Sequence, residues 1–82
     1  MNIKTTLQKS LALAASGDWQ GAHALIDALE HPVACWLHAS LHREEGDAAN
    51  AGYWYSRAGR PYSNASFTQE RATIATEVDA MK

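Results

Sequence analysis

Helical-period segments alternate with short breaks along this chain. The breaks fall at Gly17-Asp18, His31-Pro32, Gly46-Asp47 and Gly59-Arg60-Pro61. Between them apolar side chains recur at spacings of three and four, the period that lines one face of an α-helix. No run of β-branched residues alternates with polar ones. The pattern predicts an all-α fold of about five helices in antiparallel hairpins, with no strands.

Ile3, Leu7, Ser10, Leu11 and Ala14 share one face of a first helix over about 3–16, which Gly17 can end in the left-handed conformation. Asp18 is a natural cap for a second helix over about 18–30, with Ala22, Leu25, Ile26 and Leu29 as its stripe. Pro32 suits the first position of a third helix, which runs to about Glu45 with Ala34, Leu37, His38 and Leu41 inward. A fourth spans about 47–59, with Ala48, Ala51, Tyr55 and Ala58 inward, and Pro61 forbids its continuation. Ser66 and Gln69 have capping-box spacing for a fifth helix, on which Phe67, Ile74, Val78 and Met81 share a face. Residues 60–65 are turn formers without a period.

Residues 17–29 lie over residues 46–58 at an offset of 46 − 17 = 29, with Gly, Asp and a small Ala repeated and apolar residues aligned. This predicts two helix–turn–helix units, about 3–30 and 32–59, and a closing helix over about 66–81, all in one domain. The segment "EEGDAANAGYWYSRAGRP" resembles the second half of a tetratricopeptide-type repeat, with Gly46, Asp47, Ala51, Tyr55, Ala58 and Pro61 in the corresponding places. The longer "WLHASLHREEGDAANAGYWYSRAGRP" is similar to a group of small bacterial proteins to which no activity attaches. The resemblance implies a helical-repeat bundle. It departs where that family places a leucine and an aromatic in the first helix of the unit, since this chain has His38 and His42.

Composition narrows the function classes. Eighty-two residues make a single small domain, so self-association is one route to added stability. The net charge is −2 and the seven Lys and Arg are scattered, which gives nucleic acid no footprint. No segment approaches the ~20 apolar residues of a membrane span. Lys4 and Lys9 precede the short apolar run "LALAAS", which reads as part of a helix of the folded domain, not as a signal peptide. The single cysteine, Cys35, allows no internal disulfide, fits a reducing, cytoplasmic setting and reads as a buried structural thiol.

No catalytic motif or phosphate-binding glycine loop is present, and no cofactor is expected. The leading expectation is a non-catalytic module that docks another protein or a copy of itself. Its aromatic anchors would be Trp36 and Tyr53, with Ser40 and Arg43 beside them, on faces the core stripes do not use. Trp54 is expected to wedge against the fifth helix, and Trp19 to pack under the first. The alternative is a small metal- or ligand-binding protein, an enzyme among the forms it could take, centred on His38 and His42. His38 and His42 are four apart on one helical face, a spacing that can chelate a metal. Glu45 is expected on another side of that helix, and Glu44-Glu45 to be solvated.

Overall fold

A helix leaves its first backbone N–H groups unpaired, and here a side chain accepts one at each helix start. In the computed structural model, which describes residues 2–81, Asn2 caps α1 (Ile3–Ala15) and Asp18 caps α2 (Trp19–Ile26). His31 caps α3 (Pro32–Glu44), Asp47 caps α4 (Ala48–Ala58) and Ser66 caps α5 (Phe67–Asp79). Among the described residues there are these five helices and no strand, so the fold is all-α.

Two of the links are the same turn. Gly17 and Gly46 adopt φ of +89° and +88°, and no atom crowds the place a Cβ would take at either. Their requirement is therefore the left-handed backbone alone. Asp18 N–H then donates to Leu13 O at 2.8 Å, and Asp47 N–H to His42 O at 3.0 Å, closing Schellman turns on the preceding helices. Each aspartate next accepts the N–H three residues on, from Gly21 at 2.9 Å and from Asn50 at 3.2 Å. Gly-Asp thus ends one helix and starts the next within three residues.

α2 is shorter than its apolar stripe predicts and stops at Ile26 instead of Glu30. The residue before a proline is pushed towards extended backbone, and His31 has ψ of 137°. The segment between must unwind to reach it, and Leu29 N–H turns back to Ile26 O at 3.0 Å.

α1 and α2 form one hairpin and α3 and α4 a second, while α5 packs across α3 and α1. α3 touches all four other helices. Leu7, Ile26, Leu37, Leu41, Tyr55, Ile74 and Val78 fill the core between them. Every α3 residue from Ala34 to His42 is buried, polar ones included. On α4, Ala51 and Tyr55 are buried as the stripe predicts, whereas Ala48 in the first turn is exposed. Among the described residues, no helix is long and apolar enough to cross a membrane.

Candidate metal centre

Two helices carry three imidazoles into one place. His38 and His42 lie one turn apart on α3, and His23 meets them from α2. Trp19 sets the crossing: its indole N–H donates to Leu41 O at 2.7 Å, tying the start of α2 to the last turn of α3. Trp19 is partly buried against the core, as expected of it. The Trp19 ring stacks on His23 at 4.8 Å and 9°, and meets His42 edge-on at 5.8 Å. Trp54 does not wedge against α5; it stacks on His38 with centroids 3.8 Å apart and planes 17° apart. The three imidazoles are thus walled by two indoles.

The nitrogens converge. His23 Nε2 lies 3.1 Å from His38 Nε2, and one ring nitrogen of each histidine lies within 4.8 Å of one from each of the others. Glu45 contributes from below. As the C-cap of α3, it turns its carboxylate back to His42 Nδ1 at 2.6 Å, contrary to the expected separation of the two. A carboxylate on Nδ1 calls for the proton there and leaves Nε2 with its lone pair free, the usual arrangement behind a metal-ligating histidine. His38 Nδ1 is buried with no partner.

Burial holds His38, only 2% exposed, down to a pKa of about 4, and positive charge on His23, His42 or Arg57 would lower it further. Asp27 opposes this, less strongly than burial and the two histidines. His38 is therefore neutral at physiological pH and can act as a lone-pair donor. Among first-row divalent ions, imidazole sets suit zinc, copper, nickel and iron, while calcium and magnesium take oxygen.

The anchors expected from sequence lie elsewhere and are mostly covered. Trp36 is 6% exposed, with its indole N–H on Glu70 Oε2 at 3.1 Å and the Arg60 guanidinium 3.7 Å over its ring. Ser40 is buried and its hydroxyl donates to Leu37 O at 2.7 Å. Arg43 reaches Glu70 Oε1 at 3.0 Å and Ala65 O at 2.7 Å, and lies over the Phe67 ring. These three form no surface patch, because α5 and the 60–65 segment cover the face of α3 that the periodicity left free. Tyr53 is exposed, at 54%. Glu44 is paired with Arg71 at 2.7 Å, not simply solvated. Cys35 is buried, and burial raises its thiol pKa.

Two residues of consequence are not singled out by the sequence reading. Glu70, 3% exposed, accepts from Trp36, from Arg43 and from the Tyr55 hydroxyl at 2.5 Å. Burial and that contact raise the Tyr55 pKa. Its signal is positional: Glu70 occupies the stripe of Phe67, Ile74 and Val78. His23 has a similar signal, one turn after Trp19 on the inner side of α2. Comparison with known protein families, curated proteins and solved structures finds no match for this chain.

Proposed function

We propose that this chain is a small metal-binding protein whose centre is formed by His23, His38 and His42, for a divalent transition ion of the zinc, nickel and copper group. The observation that carries this reading is the convergence of one ring nitrogen from each of three histidines while Glu45 occupies the far nitrogen of His42. A core that needed these rings only as filling would pair their nitrogens. Here His38 Nδ1 is buried and unpaired, while its Nε2 shares one hydrogen bond with His23 Nε2 at 3.1 Å, a contact a cation could replace. The ligands span both hairpins, so a bound ion would clasp them together. Binding to the folded state raises stability by mass action, about 2.7 kcal/mol at one hundred times Kd. Thermal melting with zinc, nickel and calcium tests this. The melting temperature rises with zinc and nickel, stays put with calcium, and does not move for His42→Ala with any of them. Equal shifts for wild type and His42→Ala would sink the reading.

A second reading, a protein-interaction module that binds another protein or itself, is favoured by a groove of about 760 Å³ between α1 and α5, lined by Leu11, Ala12, Ala15, Phe67, Ala72 and Ala75. In it the hairpins are tetratricopeptide-like units, an idea supported by the two equivalent Gly-Asp turns 29 residues apart. Solution mass by light scattering, on wild type and Phe67→Ser, tests the self-association form. A concentration-dependent dimer lost in Phe67→Ser supports it, and identical monomers remove it.

A further inference from the structure

The geometry points to Asp27 as the fourth ligand, making the centre a closed His3Asp set instead of three histidines and an exchangeable water. This assignment rests on the three-histidine reading above. Asp27 follows His23 by four residues, as His42 follows His38, so each segment carries an i,i+4 pair; the three imidazoles converge, and Asp27 lies beside them at His23. Asp27 is the C-cap of α2, and its Oδ1 lies 3.9 Å from His23 Nε2.

Four ligands at ~2.0–2.1 Å from a tetrahedral zinc stand about 3.3 Å from one another. The two facing Nε2 atoms are already near that spacing at 3.1 Å. Asp27 Oδ1 must close on His23 from 3.9 Å and swing towards His38 and His42 to complete the ~3.3 Å edges of the tetrahedron, and its side chain, 63% exposed, is free to rotate. Nothing else holds it where it is: an acidic group at a helix C-terminus is slightly unfavourable, and its only ionic neighbour within 4 Å among the described residues is His23. Three protein ligands would leave a site open to water and to hydrolytic chemistry, whereas four close it. The centre would then store or sense an ion, or hold the hairpins, and would not activate water.

Cobalt(II) reports coordination through its visible d–d absorption. Wild type and Asp27→Ala are loaded with cobalt(II), followed across pH 6–9, and then titrated with zinc. Wild type is expected to give the intense, pH-independent bands of a four-coordinate ion. In Asp27→Ala a water takes the vacated position and titrates near neutrality, as zinc-type water does at about pH 7, so its spectrum shifts with pH. Zinc affinity falls by at least the ~10- to 100-fold that even an outer-shell partner is worth. Apo stability should not fall, since the lost carboxylate had no stabilising role at the helix end, and this separates ligand loss from misfolding. Cobalt uptake with the same spectrum and affinity in Asp27→Ala overturns this assignment and leaves the three-histidine reading intact. No cobalt or zinc uptake by the wild type overturns both.

Discussion

Two clusters of polar groups are buried against α3, and they are built in opposite ways. Around Glu70 one carboxylate gathers donors: Trp36 N–H and Tyr55 O–H meet on Oε2 and an Arg43 Nη meets Oε1, with Arg43 Nε left unpaired. Opposite charges face one another there. Around His38 there are three bases of the same kind, one ring nitrogen lacks a partner, and protonating any member opposes the next. The first arrangement balances its charges without anything added and locks α5 to α3 and α4. The second is what a cation would complete. Buried polar networks are stabilising when satisfied and costly when not, so the incomplete cluster is the candidate site.

The largest expected effect breaks the ion-paired cluster. Glu70→Ala leaves Arg43 with no carboxylate in a mostly covered position, and removing one partner of a buried ion pair costs ~3–5 kcal/mol. Urea unfolding should place Glu70→Ala that far below wild type. A loss under about 1 kcal/mol, the size of an exposed ion pair, would show that the cluster is incidental.

The incomplete cluster should respond to pH. His38 has its pKa lowered in the folded protein to about 4 from an ordinary 6.5. Between those values the unfolded chain holds more protons, so folding stability falls as pH drops through this window and is full above it. The groups facing His38 are His23, His42 and Arg57, which oppose its proton, and Asp27, which favours it. The full shift corresponds to about 3 kcal/mol. Denaturant melts at pH 7 and pH 4.5 on wild type and His38→Gln check this. The apo wild type should lose more stability than the variant, and parallel losses would contradict the assigned environment.

A smaller effect concerns the two equivalent turns. Gly17→Ala and Gly46→Ala each force an alanine into left-handed backbone, at about 1–2 kcal/mol, and neither meets a steric obstacle. Matching losses are expected in apo protein. With zinc present, Gly46→Ala should also weaken binding, because that turn seats Glu45 behind His42, while Gly17→Ala should not. Smallest of all, Tyr53→Ala should change stability by less than about 0.5 kcal/mol, as at other exposed positions; a larger loss by thermal melting would show that Arg57 over its ring is a real brace.

The helices and most of their ends, that of α2 excepted, were legible because capping and turn chemistry are local: Asp18, Asp47, Ser66, Gly17, Gly46 and Pro32 act on backbone a few residues away. Burial was less so. Periodicity assigns one face of α3 to the core, which suits a helix packed on one side. α3 is packed on all sides, and Trp36 and Ser40 were therefore placed at the surface. The near-continuous apolar run from Val33 to Leu41, broken only by His38 and Ser40, was the available sign. Half of the histidine cluster was readable as the His38/His42 spacing. His23 joins them only through the crossing of α2 on α3, which Trp19 fixes by a hydrogen bond across 22 residues of sequence. No local rule contains that contact.

The central claim is tested most directly by isothermal titration of purified, metal-stripped protein with zinc at pH 7.5, on wild type and His23→Ala. His23 is only partly buried, so its loss should leave the fold intact by circular dichroism. The account predicts one zinc per wild-type chain and binding at least 100-fold weaker in His23→Ala. No saturable site in the wild type, or an isotherm unchanged by the substitution, would contradict it.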